Sequence, residues 1–250
     1  MTENKWQTKK GFWIWAQEKQ PEIFTSNGNI GETIKEFDAR GYRIASAKEV
    51  ARERIEQGIG SRISDCSGFV SEAFVHTPKG VFLTKKSPII TSVSNAKRTD
   101  KVFNHGFYPT QEELGQSLRD SLKIRSGDYR ILAEDFGKEE VTSFLFGEIA
   151  EQYGALLKEA GIANLWIRSD YSDFPQQKRH YINQMHLDSL TTPLSIDGTR
   201  FPANGGGIFG INPKADRRIC KVTYSPNQIS RVLKTLGIEG LEKQIFEGLK

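Results

Sequence analysis

Apolar residues return at helical spacing in several stretches of the chain and alternate in others, and these two periods divide it into elements. From Asn29 the residues Ile30, Ile34 and Phe37 share one helical face, and Gly41 stands where that helix should stop. Tyr42 to Ala45 reads as a short strand. Ser46 and Glu49 form a capping box, after which Ala47, Val50, Ala51 and Ile55 give a helix one buried face before Gly58 ends it. A second capping box, Thr110 with Glu113, opens a helix marked by Leu114, Leu118 and Leu122. The longest apolar stripe runs from about Glu139 to Ala160 and includes Val141, Leu145, Ile149, Tyr153 and Leu157, with Gly161 as its stop. Gly147 and Gly154 lie inside that stripe, where glycine lowers helix propensity and calls for a packing reason.

Strand periodicity is clearest around Thr77-Pro78-Lys79-Gly80. Proline suits the second position of this turn and glycine the fourth, and Val81 to Thr84 follows as the return strand. In the strand before the turn, Ser71, Ala73 and Val75 share one face, while Glu72, Phe74 and His76 share the other. A helix over the same residues also fits, because Phe69 with Ala73 and Val70 with Phe74 are at helical spacing. Pro88 to Val93, Tyr129 to Ala133, Leu165 to Ile167 and Ile219 to Tyr224 read as further strands. Asp197-Gly198 is a hairpin turn, and Pro175 opens a helix carrying Tyr181, Ile182 and Met185. Ser225, Pro226 and Gln228 begin a helix with Ile229, Val232, Leu233 and Leu236, and a last helix covers 238–249.

These elements predict an α+β fold, with short strands and β-hairpins packed against several amphipathic helices. The chain reads as a single domain over 1–250, least structured in the interval 170–210. Composition agrees: 37% hydrophobic residues, 26% charged residues and 23 glycines describe a globular protein with a core of its own. Positive charges exceed negative ones by 35 to 31, too small an excess to mark a dedicated nucleic-acid module. Cys66 and Cys220 make no disulfide framework and read as free thiols in a reducing compartment. No stretch approaches the roughly 18 apolar residues of a membrane span, and Phe12 to Ala16 is too short for a signal peptide core. A cytoplasmic setting without membrane partners is expected.

Asp65-Cys66-Ser67-Gly68-Phe69-Val70 resembles the nucleophile segment of NlpC-type papain-like peptidases. The resemblance covers these six residues and implies Cys66 as nucleophile at the start of a helix, where unpaired N–H groups favour a thiolate. Such a nucleophile also needs a histidine to take its proton. The family's histidine follows in a strand, in an apolar context of the His-Val-Gly kind; the candidates here are His76, His105, His180 and His186, of which His105 reads as a turn and His180 and His186 as a polar helical segment.

The remaining candidates are weaker in pattern. His180 and His186 are spaced wrongly for a helical metal pair and have no Cys-x-x-Cys companion, so no metal site and no cofactor are predicted. The glycines from Asn204 to Gly210 lack the lysine of a phosphate loop and read as a surface loop. Trp6, Trp13 and Trp15 read as an aromatic cluster that docks the N-terminus. The basic pairs Lys85-Lys86, Lys97-Arg98, Lys178-Arg179 and Arg217-Arg218 would serve single-stranded nucleic acid if folding gathered them beside Trp13 or Tyr171. Lys178, Arg179, Arg217 and Arg218 are the binding residues that this alternative names. With no complete catalytic motif, the function expected is that of a soluble intracellular binding or interaction module, its partner a nucleic acid or another protein. The cysteine hydrolase built on Cys66 stands as the second alternative.

Overall fold

The computed structural model describes residues 3–7, 13–17, 23–27, 30–90, 107–169, 180–190, 194–198 and 207–211, with side chains from residue 33 onward. The strands are β1 (Glu3–Gln7), β2 (Trp13–Gln17), β3 (Ile23–Asn27), β4 (Arg43–Ile44), β5 (Gly68–Thr77) and β6 (Gly80–Thr84). They continue with β7 (Leu122–Ile124), β8 (Tyr129–Leu132), β9 (Asn164–Arg168), β10 (Tyr181–Leu187), β11 (Ser195–Asp197) and β12 (Gly207–Ile211). The helices are α1 (Ile30–Arg40), α2 (Ala47–Gln57), α3 (Arg62–Asp65), α4 (Gln111–Leu118), α5 (Glu140–Phe146) and α6 (Ala150–Glu159).

All of these strands join one mixed sheet, in the order β1-β2-β3-β12-β5-β10-β11-β9-β8, with β4 added to β12, and with β6 and then β7 added to β5. The chain is α+β, as its periodicities predict. Most neighbours are antiparallel. The exceptions are β11 beside β9, and a single parallel bridge from Ile208 in β12 to Phe69 in β5.

Strand β5 forms the middle of the sheet and is buried on both faces. Its Val70 and Phe74 enter a large core with Val50 and Ala51 of α2, Leu145 and Phe146 of α5, and Tyr153 and Leu157 of α6. Its Phe69, Ala73 and Val75 enter a second core with Ile34 and Phe37 of α1, Leu114 of α4 and Ile182 of β10. Alternation along one strand therefore feeds two cores, one on each side of the sheet.

Several predicted elements form where the pattern placed them. The hairpin of β5 and β6 pairs Thr77 with Gly80 and Ala73 with Thr84, which settles residues 68–77 as strand. Both capping boxes are present, Ser46 with Glu49 and Thr110 with Glu113. The 139–160 stripe differs, being two helices separated by a 3-10 turn over Gly147–Ile149, because Gly147 takes φ 60° and ψ −137°. Gly154 has its packing reason, since a methyl group there would overlap the carbonyl of Ala133 and crowd Phe136. Pro88–Ile90 is a 3-10 turn, not a strand, and Leu122 belongs to β7 instead of extending α4.

The interval 170–210 holds β10, β11 and β12. Residues 181–187 are strand, not helix, because β10 is flanked on both edges by partners, β5 and β11. Pairing of this kind outranks local propensity for a segment rich in Tyr and Ile. The predicted glycine loop is likewise strand from Gly207 onward, and Gly207–Ile211 is fully buried. There a side chain at Gly68 would meet the carbonyl of Gly207 at 2.8 Å, so glycine allows the two strands their close approach. Residues 215–250, with the predicted strand at 219–224, both C-terminal helices and Cys220, lie outside the described residues.

Candidate functional site

Cys66 follows the C-terminal end of α3 and precedes β5, with extended backbone angles of φ −93° and ψ 148°. No helix begins at the sulfur, so the N-terminal field that the peptidase resemblance implies is absent from this position. Cys66 is half-buried against the larger core. Its carbonyl accepts a bond of 2.9 Å from Arg54 Nη2, and the same nitrogen reaches the carbonyl of Asp188 at 2.8 Å. Arg54 Nε also bonds the carbonyl of Ile63 and Nη1 bonds the hydroxyl of Tyr153. This fully buried guanidinium ties α2, α3, α6 and the end of β10 together, so the surroundings of Cys66 are structural.

A more distinctive feature lies a few residues on. Against β10, the register of β5 passes from Ala73↔Gln184 to Phe69↔His186, leaving Val70, Ser71 and Glu72 opposite Met185 alone. The bulge strands two carbonyls that the ladder would otherwise satisfy. The side-chain amide of Gln184 replaces the missing donors, bonding the carbonyls of Val70 and of Glu72, the latter at 2.9 Å. On its other edge β5 changes partner at the same place, from β12 at Phe69 to β6 from Ala73 onward. Ser71 bridges this fork through its backbone, donating to the carbonyl of Ala45 at 2.9 Å and accepting from the N–H of Ser87 at 3.0 Å. Bulges of this kind re-aim side chains and are frequent beside functional sites.

A cleft of about 340 Å³ opens at the fork, between α1 on one side and the β4 and β6 ends on the other. Ile34, Phe37, Ile44 and Ile90 supply its apolar lining. Ser71 and Ser87 add hydroxyls, and Arg43, Lys85, Lys86 and Asp38 add charge. Arg43 is committed to Glu49 in a two-pronged pair, with Nη1 to Oε2 at 2.9 Å and Nη2 to Oε1. Burial opposes ionisation of Glu49, yet Arg43 and the Ser46 N–H and hydroxyl together hold its carboxyl down to about 2. The ammonium of Lys85 sits 5.0 Å from the centre of the Phe144 ring. Lys86 is exposed, and its ammonium has no ion-pair partner among the described residues.

Behind Ser71 stands Glu72, whose carboxylate accepts from the Ala47 N–H at the start of α2 (2.9 Å) and from the Ser71 hydroxyl (3.2 Å). Complete burial pushes this carboxyl up to about 7 despite both bonds. Further along β5, burial pushes His76 down to about 4. Its ring stacks on Tyr181 with centroids 4.1 Å apart, and its Nε2 has no hydrogen-bond partner. His186 lies edge-on to Phe69, its Nδ1 3.4 Å from Asp188 Oδ1 without a hydrogen bond, while Asp188 Oδ2 accepts from Ser195 Oγ. The carboxylate stands between serine and histidine here, whereas a hydrolytic triad needs the histidine in the middle.

Of the predicted basic pairs, Lys85-Lys86 lines the cleft. Lys97-Arg98, Lys178, Arg179, Arg217 and Arg218 lie outside the described residues, as do His105 and Tyr171. Trp6, Trp13 and Trp15 lie on β1 and β2, and their side chains are outside the description. Among the described residues no three metal-ligating side chains come together, and no helix is long and apolar enough to cross a membrane.

The fork and bulge sit within an architecture that has a solved counterpart. No family model matches the chain, and no curated protein matches it. A solved structure described as "Accommodation of massive sequence variation in Nanoarchaeota by the C-type lectin fold" superposes with a TM-score of 0.59 at 14% identity, covering 78% of this chain and 99% of that one. What the two share is the C-type lectin fold. The peptidase resemblance of residues 65–70 is thereby corrected, for this C-type lectin fold is not that of papain-like peptidases. Within the lectin fold, Cys66 is a residue between α3 and β5 and not the opening of a catalytic helix.

Sequence reasoning missed most of the cleft. Arg43, Ser71 and Ser87 carry no motif, and they converge only because the sheet forks at Ser71. Two signals were present in the sequence. One was Lys85-Lys86, a basic pair directly after a strand. The other was Glu72, an acidic residue in an otherwise apolar strand.

Proposed function

We propose that this chain is a binding module and that its ligand is a small molecule held in the cleft beside Ser71. The observation that carries the reading is the composition of that cleft: an apolar lining with two hydroxyls and a few charged groups converging on it. Small-molecule sites share this make-up, and about 340 Å³ lies at the lower end of their size range. The neighbouring protein's description, a lectin fold that accommodates massive sequence variation, is consistent with a scaffold that presents a site without taking its stability from it.

Backbone amide spectra of labelled protein, recorded against a fragment library, test the reading. Bound fragments should shift Arg43, Ser71, Ser87 and Ile90 together, and Ile90→Trp, which fills the cleft, should abolish those shifts. If every hit moves residues elsewhere, or binds the Ile90→Trp variant unchanged, the cleft is not the site.

A further inference from the structure

We infer that the ligand of this cleft is a small amphiphile with an anionic head, its apolar body lying over Ile34, Phe37, Ile44 and Ile90 and its head held at the rim by Lys86. The inference rests on the cleft being the binding site and adds the chemistry of its occupant.

The charges lining the cleft are unequal, with Arg43, Lys85 and Lys86 set against Asp38 alone. They are also unequally committed. Arg43 already holds Glu49 with both terminal guanidinium nitrogens, and Lys85 lies over an aromatic ring. Among the described residues no carboxylate pairs with the ammonium of Lys86, and long lysine stems can lie along apolar surface while the ammonium stays at the rim.

The hydroxyls are both committed or covered. Ser87 is fully buried, and its Oγ accepts from the N–H of Ile89 at 3.3 Å, so it packs beneath the cleft and takes no part in holding a head. Ser71 Oγ spends its proton on Glu72 at 3.2 Å and so meets a ligand as an acceptor. Lys86, just after β6, offers an exposed ammonium at the edge of the cleft. An anion accepts from that ammonium and balances its charge, as a cation or a purely apolar head cannot. Carboxylate and phosphate monoester heads fit this chemistry equally.

A matched series that varies only the head tests this: hexanoate, hexyl phosphate, hexanol and hexylammonium, titrated into labelled full-length protein with the cleft amides as readout. Hexanoate or hexyl phosphate should bind at least tenfold more tightly than hexanol, hexylammonium should be weakest, and the stronger of the two anions identifies the head. Lys86→Glu should weaken the anion by about tenfold, corresponding to about 1.4 kcal/mol, and leave hexanol unchanged. Equal binding of hexanol and the anions in the cleft would overturn the anionic head while the cleft reading stands. A series in which no member shifts the cleft amides would overturn both.

Discussion

Glu72 and His76 sit four residues apart on one strand, and burial moves them in opposite directions. The Glu72 carboxyl rises from 4.5 to about 7, so the folded state holds a proton that the unfolded chain has released. Its cost is absent below about pH 4.5, grows as pH rises and is complete above about 7, an effect on the order of 3 kcal/mol. His76 falls from 6.5 to about 4, so its contribution is intact above about pH 6.5 and is lost on acidification toward 4, again by about 3 kcal/mol. The two slopes oppose one another between about pH 4.5 and 6.5. Glu72→Gln should therefore raise stability at pH 8 and leave it little changed at pH 4, while His76→Phe should flatten the acid limb. Urea unfolding at pH 4, 6 and 8 measures both, and an unchanged wild-type profile in either variant would show that the residue does not titrate as its burial dictates.

Arg54 is the other residue with large leverage. Its guanidinium satisfies the carbonyls of Ile63, Cys66 and Asp188 and the hydroxyl of Tyr153, all of which methionine would leave without that donor. Arg54→Met should cost about 3–5 kcal/mol, read as a shift in the denaturation midpoint at unchanged slope. Lysine should not rescue it, because one ammonium cannot span four acceptors on separate elements.

Among the elements, the interior of α6 and its stop show how differently glycines act. Gly161 has φ 73° and open space around its missing side chain, and Ile162 N–H returns to the carbonyl of Leu157 as the helix ends. Gly161→Ala should cost only about 1 kcal/mol, from the backbone alone. Gly154→Ala places a methyl group against the Ala133 backbone, which cannot rotate away, and should cost about 2–3 kcal/mol. Thermal unfolding of the two variants checks the order, and a larger loss at Gly161 would contradict it.

The elements that could be read in advance are those whose causes are local. The capping boxes of α2 and α4 are made by residues three apart, and the β5-β6 turn by four consecutive residues, so the chain displays them directly. Strand β10 was misread because its cause lies elsewhere, in β5 and β11 on its two edges. The same reason hides the cleft. Ser71 looks like any serine in a strand until β12 and β6 separate around it, and Arg43, Ser87 and Phe37 reach it from three different elements. Cys66 shows the opposite error, since its local string resembles a known site while its surroundings in the fold do not.

At the scale of the whole molecule, β12 connects parts that are far apart in sequence. It pairs with β3 along its length, with β4 at Gly210 and Ile211, and with β5 at Ile208, and Phe209 packs into the larger core beneath Arg54. Phe209→Ala should cost about 3–5 kcal/mol. It should also leave a regional signature in hydrogen exchange: amides of Ile23–Asn27 and Arg43–Ile44 should lose protection together, while those of β8 and β9 change least. Uniform loss across all strands would mean that β12 is one strand among equals.

That arrangement also sets an order of events while the chain is made. The strand Ile23–Asn27 leaves the ribosome about 180 residues before its partner Gly207–Ile211. At ordinary rates of synthesis the interval is on the order of ten seconds or more, far longer than a hairpin takes to form. Until then the edge of β3 that β12 covers stays unpaired, and a ribosome stalled before residue 207 would hold β3 without that partner.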